Sequence, residues 1–168
     1  MATFVHLTPE KYLAAIKRSG IHRARARRFL PAGVFAQAVT LNFYVSHQWL
    51  RELKRSGQRT IAGVYFRVPD DEPVYVGHYN QPPLQISAAE AIGLIMHNDS
   101  PLGYHVLIPR RIEPKEIVRV RHLPQTLGWR YYPESHGKYL CACPVCVSPG
   151  EINSSKKRQR LLRNNPDQ

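Results

Sequence analysis

Two groups of residues in this sequence have the types and spacing to do chemistry. The segment HGKYLCACPVC gathers His136, Cys141, Cys143 and Cys146 within eleven residues. Cys-x-Cys-x-x-Cys brings three sulfurs onto one tight turn, helped by Pro144, and the histidine just upstream completes a Cys3His tetrahedral set for zinc. A metal there would tie down a segment with too little apolar content to fold alone. The set leaves no open position, so the expected role is structural; three unligated thiols in a loop is the competing reading. His122 is a more distant alternative as fourth ligand. The second group opens the chain, where FVHLTPEKYLAAIKRSGI sets His6 at the end of a strand-like run, just before a helix signal. A polar ring at such a junction is either a ligand-binding device or an ordinary surface histidine.

Other chemistries lack their signatures. The chain carries no phosphate-binding Walker loop, no Gly-x-Ser-x-Gly elbow and no His-Glu-x-x-His pattern. Lys and Arg number 24 against 12 Asp and Glu, a net charge of +12 that favours a polyanionic partner such as DNA or RNA. The basic residues concentrate in Arg23, Arg25, Arg27 and Arg28 and in Lys156, Lys157, Arg158 and Arg160. Such arginines and lysines promise phosphate contact without base specificity. The opening residues do not read as a signal peptide and no apolar run is long enough to span a bilayer, so no membrane partner is expected. The three cysteines, an odd number in one cluster, do not make a secreted disulfide framework. The expected location is cytoplasmic.

The elements that must position these residues read as α+β. Phe4, Val5 and Leu7 form a strand, Thr8 is expected to cap a helix with Pro9 in its first position, and Gly20 stops that helix. VFAQAV, RTIAGVYFRV, PVYVGHY, GYHVLIP and EIVRVRHL read as further strands, making five or six in all. A second helix carries Trp49, Leu50 and Leu53, and a third follows Ser87, which pairs with Glu90 in a capping box. The expected organisation is a core over 1–123, a zinc-binding loop region over 124–150 and a flexible basic tail over 151–168.

The opening segment, with GVFAQAVTLNFYVSHQWL and GYHVLIPRRIEPKEIVRV, resembles ADP-ribosyltransferase domains of the diphtheria-toxin and poly-ADP-ribose-polymerase type. The last of these is similar to the final strand pair of DarT-like toxins, which modify DNA. The resemblance spans residues 3 to 122 by order of elements and rests on three short stretches. It implies a split β-sheet, NAD as substrate, and a role for His6 on the adenosine-side ribose. It further implies that the Leu7 backbone, in the His6-Leu7-Thr8 stretch, meets the nicotinamide amide, with Phe35 or Tyr44 stacking on the ring and Tyr65 a poorer candidate. Cleavage of the nicotinamide–ribose bond develops oxocarbenium character, and the family stabilises it with a glutamate on the final strand. Here His105 occupies that position, and an imidazole brings no fixed negative charge. Three readings follow: an ADP-ribosyltransferase acting on a nucleic acid, a non-catalytic module of the same fold, and a zinc-stabilised nucleic-acid-binding protein.

Overall fold

A computed structural model of the chain describes residues 1–26, 30–55, 58, 60–78, 81–125 and 128. The chain begins with β1 (Ala2–Pro9), then a 3-10 turn (Glu10–Tyr12) and α1 (Leu13–Ser19). β2 (Val34–Ala38) is followed by two short helices, α2 (Phe43–Ser46) and α3 (Leu50–Arg55). β3 (Ile61–Val68), β4 (Pro73–His78) and β5 (Leu84–Ser87) lead to α4 (Ala88–Met96), and β6 (Tyr104–Ile108) and β7 (Ile117–His122) complete the fold. The seven strands form one antiparallel sheet in the order β5-β4-β6-β2-β1-β3-β7. The class is α+β.

Strand side chains alternate between the two faces of the sheet, so each face collects its own core. Phe4, Val34, Ala36, Val64, Phe66, Val74, Val76, Val106 and Ile108 line one face, under Ile16 of α1 and Ala88, Ala91 and Ile95 of α4. Val5, Leu7, Ile61 and Tyr65 line the other, under Leu50 of α3 with Trp49 and Leu53. Ser87 accepts a hydrogen bond from the Glu90 N–H, and Glu90 accepts from the Ser87 N–H, the capping box expected for α4.

Two sequence expectations need correcting. Thr8 does not cap a helix: it is buried in β1 opposite Ala62, and the strand runs on through Pro9. Val39 N–H donates to the Thr3 carbonyl, so the odd residues of β1 turn their backbone polar groups towards β2. Pro9 therefore lacks its N–H on a side where no ladder remains, and its ring does not interrupt pairing with β3. The helix begins only at Leu13, after the 3-10 turn. The second correction is β5, a strand the sequence reading missed. Its four residues carry no clear alternation and owe their extended form to pairing with β4.

The β3–β4 turn and the β6–β7 connection are tied together by charge. Arg110, just after β6, donates to Glu72 at 2.7 and 3.3 Å and to Glu116 at 2.8 and 2.7 Å. Both carboxylates are largely buried, at 16% and 15% exposure, so removing their partner leaves two poorly hydrated anions. Arg110→Ala is expected to lower unfolding stability by about 2 kcal/mol in a denaturant titration at neutral pH. Arg110 also holds the Glu116 carboxyl below its ordinary value. A depressed carboxylate contributes stability that is present above the unfolded-state value and lost as pH falls through the folded one, so the penalty should shrink below about pH 4.

Candidate functional site

The site is built where β1 and β2 part. β2 divides its pairing: Val34, Phe35 and Ala36 pair with β6, whereas Gln37 and Ala38 pair with Val5 and Phe4 of β1. β1 meanwhile pairs with β3 over its whole length. The β1–β2 ladder therefore ends at Val5–Gln37, and the next rung, Leu7 with Phe35, is not made. By the alternation of the strand, the N–H and C=O of Leu7 point into this opening. Backbone polar groups normally find partners, so an opening lined by them is a place for a ligand.

His6 fills the start of the opening. Its Nδ1 lies 2.7 Å from the Phe35 carbonyl oxygen, the group that a continuing ladder would have engaged. A carbonyl oxygen only accepts, so Nδ1 carries the proton and donates it. Burial pushes the His6 imidazole below the ordinary histidine value, a shift the Phe35 carbonyl opposes without reversing. The ring is therefore neutral at pH 7, and its Nε2 presents a lone pair that can accept from a ligand hydroxyl.

Two further rings lie beside it. Phe35 on β2 and His105 on β6 approach with centroids 5.7 Å apart and planes inclined at 53°. The β2–β6 register, with Phe35 opposite Leu107, puts His105 one same-face step from Phe35. The start of β6 is clamped to the helical layer. Gln48 accepts from Gly103 N–H at 2.5 Å and donates to the carbonyls of Val45 and Pro101, while Trp49 Nε1 donates to the Tyr104 carbonyl at 2.7 Å. These bonds fix the backbone on which His105 stands.

No protein-family model, curated protein or solved structure matches this chain.

The remaining expected site residues distribute unevenly. Leu7 joins His6 and Phe35, and Thr8 contributes only to the buried strand. Tyr44 belongs to α2, where its N–H is capped by the Asn42 side chain. Among the described residues its ring makes no ring contact with Phe35 or His105. Arg23 and Arg25 are exposed on either side of Ala24, which forms a backbone bridge with Gly33 at the entry to β2. Arg27, Arg28, Lys156, Lys157, Arg158 and Arg160 lie outside the described residues, as do His136, Cys141, Cys143 and Cys146. No metal-binding cluster occurs among the described residues.

Sequence reasoning missed a buried polar chain beside the site. Tyr65 donates its hydroxyl proton to His47 Nε2 at 2.6 Å, and His47 Nδ1 donates to the Phe43 carbonyl at 2.7 Å. Arg121 on β7 pairs with Gly63, one same-face step along β3 from Tyr65. Burial raises the Tyr65 phenol above its ordinary value, against the pull of Arg121, and so keeps it protonated. Burial lowers the His47 imidazole and Arg121 lowers it further, against the Phe43 carbonyl. This explains Tyr65: the ring is committed to the fold and is not a stacking platform. The only sequence signal was a polar His-Gln pair, His47 and Gln48, at the start of an otherwise apolar helix face.

Both His6 and His47 are thus held neutral in the folded chain, whereas in the unfolded chain each titrates near 6.5. Above that pH neither state takes up the proton, and stability is at its full value. As pH falls below it, the unfolded chain binds protons that the folded chain refuses. Stability should then fall by up to about 1.4 kcal/mol per pH unit for each histidine. Urea midpoints at pH 8, 6.5 and 5.5 check this, and His47→Gln should flatten the slope.

Proposed function

We propose that the chain binds NAD in the opening between β1 and β2 and transfers its ADP-ribose to a nucleic acid. One observation carries the reading: the neutral His6, its Nδ1–H spent on the Phe35 carbonyl and its Nε2 left as an acceptor beside unladdered Leu7 backbone groups. An acceptor nitrogen suits a ribose hydroxyl, adjacent backbone N–H and C=O suit a carboxamide, and the Phe35 ring suits a flat heterocycle. β2 divides its pairing between β1 and β6 within a single seven-stranded sheet, and the opening lies at that division. Exposed Arg23 and Arg25, with Arg119 and Arg121 on the edge strand β7, offer cations to the phosphates of the acceptor.

In the transfer, the bond between the ribose C1′ and the nicotinamide nitrogen breaks, and its electron pair leaves with neutral nicotinamide. A lone pair of the acceptor forms the new bond to C1′, and the acceptor's proton goes to a base. In this reading His105, one step from Phe35, takes it. His6 holds the ribose and the Leu7 backbone holds the carboxamide while the bond opens.

A second reading, NAD binding without turnover, is favoured by one specific feature. Glu72 and Glu116 are paired with Arg110, Glu113 with Arg111, Asp70 with the N-terminal ammonium and Glu90 with Ser87, so none of these carboxylates serves the site. Release of nicotinamide by the purified protein, with DNA, RNA and protein offered separately, separates the two. Release that depends on an acceptor and is lost in His105→Ala supports transfer. A melting-temperature rise with NAD and no release under any condition supports binding alone. The proposal includes structural zinc on His136, Cys141, Cys143 and Cys146, from their spacing, and metal analysis of the native protein tests it.

A further inference from the structure

Gln37 is the one polar residue in VFAQA, with buried Ala36 and Ala38 on either side. It stands on the last β1–β2 rung, opposite Val5, so its side chain leaves the sheet on the face shared with Leu7 and Phe35. Only 6% of it is exposed, yet its amide makes no hydrogen bond to any side chain or backbone group of the described residues. Nor is the amide sealed off, since its polar atoms are not among those fully shielded from solvent.

Two other glutamines, Gln48 and Gln125, behave differently. Gln48, at 1% exposure, bonds Gly103, Val45 and Pro101, and Gln125 bonds both backbone groups of Ile61 and the carbonyl of Leu123. Both are satisfied structural amides. An amide on a residue only 6% exposed, with solvent as its one partner, gives the strand little, and retaining it there calls for a reason. An apolar residue of the same size would serve the strand better.

The geometry points to Gln37 as a specificity-determining residue that reads the carboxamide of the nicotinamide ring and rejects the corresponding carboxylate. This rests on the NAD-binding reading and deepens it. The Gln37 amide presents a donor and an acceptor side by side. A carboxamide held along one edge by the Leu7 backbone keeps a second N–H, which donates to the Gln37 carbonyl oxygen. A carboxylate has no donor to return, so the Gln37 carbonyl oxygen would face a negatively charged oxygen in a poorly hydrated site. The lone pair on His6 Nε2 adds no positive charge to offset it.

The test compares wild type with Gln37→Leu and Gln37→Met. Each is titrated by calorimetry with NAD, nicotinic acid adenine dinucleotide and ADP-ribose, and melted without ligand. Wild type should bind NAD roughly 10-fold or more tightly than the nicotinic acid dinucleotide, and the variants should lose that preference. ADP-ribose, which lacks the ring, should bind wild type and variants alike. Without ligand the variants should melt at or above the wild-type temperature, the reverse of a structural glutamine. Variants that keep wild-type discrimination would overturn the assignment while leaving NAD binding intact. So would an equal loss of ADP-ribose affinity, which would move Gln37 to the adenosine half. If wild type binds neither dinucleotide, the NAD reading falls and this one with it.

Discussion

His6→Ala is expected to weaken NAD binding and nicotinamide release strongly while leaving the protein folded. The substitution removes the Nε2 acceptor and, with it, the group that occupies the Phe35 carbonyl at 2.7 Å. Loss of a buried hydrogen-bonding partner for a ligand hydroxyl corresponds to a fall in NAD affinity of roughly 10- to 100-fold. If nicotinamide release is detectable in wild type, it should fall by about 100-fold or more. Calorimetry and nicotinamide release measure the two effects. A third readout guards against a trivial loss of structure: His6→Ala should retain cooperative unfolding, with a shallower loss of stability below pH 6.5, because one of the two neutral histidines has gone. Undiminished NAD binding in a folded His6→Ala protein would remove the central observation from the proposed function.

The second large effect concerns the fold. Gly20, at the end of α1, has φ of 78°, and a Cβ there would fall 2.0 Å from the Ile112 carbonyl oxygen and 3.1 Å from its carbon. The neighbouring Ile21 exchanges two backbone hydrogen bonds with Ile112, at 2.8 and 3.0 Å, so the two segments cannot separate without losing that bridge. Gly20→Ala therefore combines an unfavourable backbone region with a clash against main chain, and should cost about 3–4 kcal/mol or prevent folding. Gly93, inside α4, is the internal control. A Cβ there meets nothing within 4 Å, so Gly93→Ala should be neutral or stabilise by about 0.5–1 kcal/mol through helix propensity. Urea unfolding of both variants checks the contrast; equal effects would show that chain entropy, and not the approach to Ile112, governs Gly20.

Much of the framework was legible because the local signals were strong and agreed with one another. The apolar, β-branched runs of β3, β4, β6 and β7 and the Ser87–Glu90 box of α4 carry their own structural preference. The Gly20 stop was equally plain, since Ile16 accepts its N–H as a helix end requires. Thr8 and Pro9 misled for a physical reason. The pair is a good helix start in isolation, but Thr8 gains more by pairing with Ala62, and Pro9 sits where β1 has no ladder to break. β5 was illegible because its extended form is supplied by β4 and not by its own residues.

By itself the sequence determined that this is a basic α+β chain, with a histidine set just before the first helical turns and a Cys3His cluster near its end. Those facts follow from charge, periodicity and spacing, which act locally along the chain. Only the tertiary structure decided what the histidine does. β2 leaves β1 after two rungs to pair with β6, and that parting, a matter of partners distant in sequence, turns the Phe35 carbonyl and the Leu7 backbone towards one opening. No local preference specifies which rung is left unmade. His6 becomes a neutral acceptor because β2 has moved away and left it a carbonyl to bond.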